Sequence, residues 1–352
     1  MFKKTLISLF SLIAVFALAI PAAASAAGGG AVLFSKTSTV DGKAKGGLYA
    51  VKDGHLNQLT EDPTDSEPNF SPDGRTVAFV RGGDIFSIRP DGSGQRQLTS
   101  GPEVDSLPKI APNGRYLVFE RRGALGGPSG LYSVRVTGGG EHGVVTGGDN
   151  HEAAFAPDGK TIVFVRSTPG ANGGNDDLYT VRPSGNEQRR LTRTAADEFA
   201  PRYFAGGIVY SRGENGEGDS AFADIYTMRR NGQKARSQVA GAGSAYVEDV
   251  SPNGRTLLFR REQGLWVKRI GDGAARKLTE LPDESQTNAV FSSDGKRVAA
   301  FIEADERTQL SSISVADGSD RELAQGVVPT ETTPTSGIVT TLGPVIAWQP
   351  SR

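Results

Sequence analysis

Phe70-Ser-Pro-Asp-Gly-Arg-Thr-Val-Ala-Phe79, continued by Asp84-Ile-Phe-Ser-Ile-Arg-Pro-Asp-Gly-Ser-Gly-Gln-Arg-Gln-Leu-Thr99, is the stretch that decides the fold. It runs from an apolar anchor through an Asp-Gly turn into a β-rich run ending in an aromatic. A second run, a second glycine turn and a third run follow. Asp and Gly tolerate φ > 0 at low steric cost, so Asp-Gly between apolar runs signals a hairpin. The same order returns along the whole chain. The first run closes at Phe34, Phe79, Phe119, Phe164, Tyr210, Phe259 and Ala300, at intervals of 45, 40, 45, 46, 49 and 41 residues. The second recurs at 48–51, 85–88, 131–134, 178–181, 225–228, 265–267 and 313–315, and the third at 58–60, 97–99, 144–146, 190–192, 238–240, 277–279 and 322–324. Anchors stand at Phe70, Ile110, Phe155, Tyr203, Val250, Phe291 and Trp348. The Pro-Asp-Gly type of turn recurs at 71–74, 111–114, 156–159, 251–254 and 292–295, and residues 204–207 keep only its glycines.

Four short strands every 40–49 residues, without helical periodicity, are the spacing of propeller blades. The chain opens on a first run and ends on an anchor run, Val345-Ile-Ala-Trp348-Gln-Pro350, which matches Phe70-Ser-Pro. The expected fold is therefore all-β: a seven-bladed β-propeller of four-stranded antiparallel blades, with the C-terminal strand completing the first blade. The alternative is six blades, with the weaker copies around 200–245 or 300–324 as insertions.

This repeat resembles the WD-like repeat of the TolB β-propeller family, over essentially all of residues 31–352. The resemblance implies a propeller whose innermost closing strand comes from the C-terminus. TolB itself has six blades and a small N-terminal α/β domain. That domain has no expected counterpart here, because the first strand follows directly on a leader.

Residues 1–26 read as a secretory signal peptide: Lys3 and Lys4, the apolar run 5–20, Pro21, then Ala24-Ser25-Ala26 as a cleavage site. Residues 27–352 are expected to form one exported domain, periplasmic or secreted, without a membrane span. Glycine fills 46 of 352 positions. Lys+Arg 39 against Asp+Glu 40 excludes the basic profile of a general nucleic-acid binder. Cys 0 excludes disulfides, thiolate metal sites and cysteine nucleophiles.

Little in the sequence carries catalytic chemistry. His151-Glu-Ala-Ala-Phe155 begins like H-E-x-x-H, but its fifth position is Phe and it falls in a strand, so the zinc geometry fails. There is no G-x-S-x-G elbow, P-loop or Rossmann fingerprint. Asp residues of the turns are read as caps of their own turns and recurring aromatics as blade core. No cofactor, metal or catalytic residue is expected. What stands out is acid entering each anchor run: Asp65 and Glu67, Asp105, Asp149 and Glu152, Asp197 and Glu198, Glu248 and Asp249, Asp283 and Glu284. His151 and Arg202 lie in the same stretches. In a propeller these connections converge on one rim of the channel, where gathered carboxylates attract cations or basic peptides. The expected function is a monomeric, non-catalytic protein-binding or scaffolding propeller of the bacterial cell envelope, with an envelope or extracellular protein or peptide, basic ones included, as partner. The alternative is an exported propeller that binds or degrades glycans, as a lyase or hydrolase, using His151, Arg202 and Tyr203.

Overall fold

A computed structural model describes residues 30–40, 42–169, 175–213, 223–241, 243–281, 289–304, 307–324 and 339–350. The leader and Glu284 lie outside the described residues, as do parts of the loops 167–177, 211–224 and 324–344. The described chain is strand and turn throughout, in seven four-stranded sheets. No helix among the described residues is long and apolar enough to cross a membrane.

Blade I joins β1 (Val32–Val40), β2 (Lys43–Lys52) and β3 (His55–Gln58) to the last strand of the chain, β28 (Val339–Trp348), in the order β28-β1-β2-β3. Blades II to VII follow as β4–β7 (66–97), β8–β11 (104–145), β12–β15 (149–190), β16–β19 (198–239), β20–β23 (245–280) and β24–β27 (290–322). The innermost strands are β4 (Ser66–Phe70), β8 (Val104–Ile110), β12 (Asp149–Phe155), β16 (Glu198–Phe204), β20 (Ala245–Val250) and β24 (Val290–Phe291). Seven blades, not six, close the ring.

Closure is antiparallel pairing of the two chain ends, with Val32 opposite Trp348 and Leu33 opposite Ala347. Gln349 locks it: its amide N–H donates to Ala31 O at 2.8 Å, its Oε1 accepts from Ala31 N, and its Nε2 reaches Gly74 O of blade II at 2.9 Å. A closed ring leaves no inner edge unpaired.

Each anchor pairs with the first or second residue of the strand it faces, as Phe70 with Val77 and Ile110 with Leu117. In the intervening turns, Asp73 Oδ1 accepts from the Ser71 hydroxyl and Arg75 N, and Asn113, Asp158, Asn253 and Asp294 serve their turns likewise. Their glycines 74, 114, 159, 254 and 295 hold φ between 65° and 69°, which a side chain adopts only under strain. Cross-strand aromatic pairs fill the blades: Phe34–Tyr49, Phe79–Phe86, Phe119–Tyr132, Phe164–Tyr179, Tyr210–Tyr226 and Phe259–Trp266, with ring centroids 5.7–6.4 Å apart. Such pairs add about 0.5–1.5 kcal/mol each beyond area burial. Blade VII substitutes Ala300 opposite Ser311, both fully buried.

Candidate functional site: the charged wall of the channel

The inner strands carry a shared irregularity. Bulges interrupt the pairing after Ser66, Ser106, His151 and Phe199, and the first residue of each, Glu67, Leu107, Glu152 and Ala200, has φ between 49° and 55°. A left-handed non-glycine residue costs about 1–2 kcal/mol. What offsets it is the direction in which the amide then points. Leu107 N donates to Glu67 Oε2 at 2.5 Å, Glu152 N to Glu120 Oε1 at 2.6 Å and Ala200 N to Glu152 Oε2 at 2.5 Å. Each is a charge-assisted bond from one blade to the one before it. Where Leu107 and Ala200 leave their own blades without an acceptor at this level, the next strand supplies one. Glu120 does so in blade III, and in blade V Ser211 Oγ accepts from Val247 N.

Further pairs stitch other levels. Asn69 Oδ1 accepts from Ile110 N, Asp249 Oδ2 from Phe291 N and Glu248 Oε2 from Ala289 N. Nearer the mouth, Asp149 Oδ1 accepts from Ser129 N and Oγ, and Asp197 Oδ1 from Asp176 N. The acids of the sequence thus fall into two groups. Glu67, Glu152, Glu248, Asp249, Asp149 and Asp197 join one blade to the next. Asp65, Asp105 and Glu198 instead point into their own blades and are buried.

Asp65 takes Arg81 in a bidentate pair at 2.6 and 2.7 Å, and Asp105 takes Arg121 at 2.7 and 2.8 Å. Both guanidinium groups stack on the aromatic pair of the blade, 4.8–5.4 Å from the ring centroids. In blade IV, Asn150 Oδ1 accepts from Arg166 Nε at 2.7 Å in the same position. Glu198 is one methylene longer. Thr194 Oγ1 donates to its Oε1, Arg212 stands 4.0 Å away, and its Oε2 has no partner. Burial raises its carboxyl above the usual range. A separation of 16 residues between Asp65 and Arg81, Asp105 and Arg121, and Asn150 and Arg166 was the sequence signal for these pairs.

On the channel side, position by position, the residue before each anchor is Asn69, Lys109, Ala154, Arg202, Asp249, Val290 and Ala347. Lys109 and Glu120 were not singled out from the sequence. Both belong to one electrostatic cluster with Glu67, His151, Glu152, Arg202, Glu248 and Asp249. Burial, then the charge of Arg202, brings the Lys109 ammonium down to about 8, against the pull of Glu67, Glu120 and Asp249. Burial lifts Glu120 to about 7 despite the bond from Glu152 N, and lifts Glu248 to about 7 despite Arg260.

The glycan-active trio does not assemble. Tyr203 is buried in the core cluster of blades IV and V, with Arg230 over its ring, while Arg202 faces the cluster above. His151 Nε2 lies 3.1 Å from Ser167 Oγ, whose hydroxyl donates to Asp176 at 2.5 Å. The serine stands between histidine and carboxylate, the reverse of a nucleophile–base–acid relay. Among the described residues no three His, Asp or Glu side chains are grouped to hold a metal ion.

The architecture is that of known TolB-like propellers. A putative TolB from Agrobacterium tumefaciens superposes with a TM-score of 0.53 at 16% identity, over 71% of this chain and 90% of that one. The propeller domain of the Trilobed protease from Pyrococcus furiosus gives 0.62 at 13% identity, over 84% and 96%, and is described as having an open velcro topology, whereas this ring is closed. An oligogalacturonate lyase in complex with manganese gives 0.62 at 13% identity, over 76% and 84%. These likenesses establish the fold alone. No protein-family model matches the chain. A dipeptidyl-peptidase 5 from Porphyromonas gingivalis is 36% identical over 69 residues, so the chain spans about a tenth of that relative's length.

Proposed function

We propose that the chain is an exported, non-catalytic binding propeller of a bacterial cell envelope, which holds a segment of another protein at the mouth of its channel. One observation carries this reading: ionisable side chains from five successive blades, II to VI, converge on the channel in a single electrostatic cluster. Fixed charge on a rigid ring steers and orients a charged segment at no cost in side-chain ordering. Glu67 and Glu152 each keep one carboxylate oxygen beyond their stitch, which suits them to a basic residue of the partner.

Residues 27–352 used as bait against envelope extract, with crosslinking, test the reading. The comparison bait carries Glu67→Gln and Glu152→Gln, whose amide oxygens still accept the neighbouring N–H while the charge is gone. Asp65, Asp105 and Glu198 stay untouched, since neutralising them strands or disturbs arginines inside the blades. A protein captured by the natural chain and lost with the variant is the expected result. Equal capture by both baits would overturn the site, and no capture would overturn the function.

A further inference from the structure

We infer that Lys109 and Arg202, set on either side of Ala154 inside the channel, form a binding site for a hydroxycarboxylate, one that shares the free oxygens of Glu67 and Glu152 with the proposed protein site but does not depend on that reading. The three residues occupy the same level of blades III, IV and V, each one residue before its anchor and opposite Val118, Val163 and Val209. At this level an acceptor side chain bonds the next blade: Asn69 takes Ile110 N and Asp249 takes Phe291 N. Lysine and arginine carry only donors and cannot make that bond. Lys109 has no hydrogen bond or ion pair with any described residue, and Arg202 donates only to Pro201 O at 3.0 Å. Ala154 between them is, with Ala347, one of the two alanines of the level.

Accounting for donors and acceptors defines the ligand. Two cations close enough for one charge to bear on the other stand half-buried with most of their donors unmet by the protein, and an anion that supplies acceptors to both gains charge-assisted bonds at each. The carboxylates around them are already committed, Glu67, Glu120 and Glu152 to main-chain amides of one level and Asp249 to two amides at the next. A planar carboxylate suits the guanidinium fork and the ammonium together. The remaining oxygens of Glu67 and Glu152 are acceptors without a donor, and hydroxyl groups beside the carboxylate supply one. An inorganic phosphate dianion carries at most one hydroxyl and leaves those acceptors largely unmet, which favours a carboxylate flanked by several hydroxyls.

D-gluconate, with one carboxylate and five hydroxyls, is the probe. Sorbitol is the uncharged control and inorganic phosphate the dianionic one, all at constant ionic strength. Gluconate is expected to raise the melting temperature by at least about 3 °C at saturation. Sorbitol is expected to have no effect and phosphate a smaller one. Lys109→Met and Arg202→Met should each weaken gluconate at least about tenfold, the loss of a charge-assisted bond. In the natural protein, whatever the variants do, the Ala154 methyl resonance should shift on titration. Binding should also strengthen from pH 8.5 to 6.5, because Lys109 gains its proton while Glu120 and Glu248 shed charge. The other facing groups are Glu67, His151, Glu152 and Asp249. An unmoved melting temperature and Ala154 methyl, an equal response to sorbitol, or undiminished affinity in both variants would each overturn the site. Failure to capture a protein partner would leave this result untouched.

Discussion

Asp105 and Lys109 stand four residues apart on the same strand and live in opposite worlds. Asp105 is turned into blade III, 1% exposed, and held by Arg121 in a bidentate pair over two aromatic rings. Lys109 makes no hydrogen bond or ion pair with a described residue and feels its neighbours Glu67, Glu120, Asp249 and Arg202 only through their charge. The first arrangement recurs from blade to blade, with Asp65–Arg81 and Asn150–Arg166. The second recurs once, at Arg202. A charge that repeats with the fold belongs to the fold, and a charge that breaks the repeat is where a ligand should be sought.

The largest effect that follows from this contrast lies in the framework itself. Removing residues 345–352 takes away the Trp348 pairing and the Gln349 lock, and should abolish the single cooperative melting transition in calorimetry. A truncated chain that melts normally would mean that the ring does not depend on its closing strand. Next, Asp65→Ala should cost about 3 kcal/mol in denaturant unfolding, because it leaves Arg81 without its bidentate partner. Lys109→Met should cost nothing or stabilise at pH 7. Equal losses at the two sites would erase the distinction between the two kinds of charge.

Glu120 is held near 7 in the folded chain, above its ordinary 4.5, so the folded state binds the extra proton. Its contribution to stability is complete below pH 4.5 and is lost as pH rises through 7. Glu120→Gln should therefore flatten the fall in stability between pH 5 and 8, with a gain at pH 8 of at most about 3 kcal/mol. Lys109 runs the other way. Its folded value of about 8 lies below 10.5, so its contribution is complete above 10.5 and is lost as pH falls through 8. An identical pH profile for the natural protein and Glu120→Gln would remove the channel carboxyl from the titration. The smallest effect belongs to a turn: Asp73→Ala should cost about 1 kcal/mol, since Ser71 and Arg75 N lose a local acceptor.

Much of the fold was legible in advance. Asp73-Gly74 and its counterparts mark each hairpin by local chemistry, and Trp348-Gln-Pro350 announced the closing strand because it repeats Phe70-Ser-Pro. The candidate site was legible only in outline. The acids before each anchor were read as one rim, yet Asp65 and Glu67 serve different tasks two residues apart. The bulge at Glu67 explains why: a left-handed residue breaks the alternation of faces that a sequence reader assumes.

The sequence by itself determined the propeller repeat, its strand order and the turns, because short-range propensity and a phased repeat settle those without distant contacts; the choice of seven blades over six came from the closed ring. Only the tertiary structure decided which charges are spent and which are free. That depends on the amide or arginine each carboxylate meets from another strand, some 14 to 48 residues away along the chain, and only the recurring 16-residue spacing of the in-blade pairs leaves a trace of it in the sequence. Lys109 and Arg202 matter for the same reason: at a level where Asn69 and Asp249 offer the neighbouring blade an acceptor, these two side chains carry only donors.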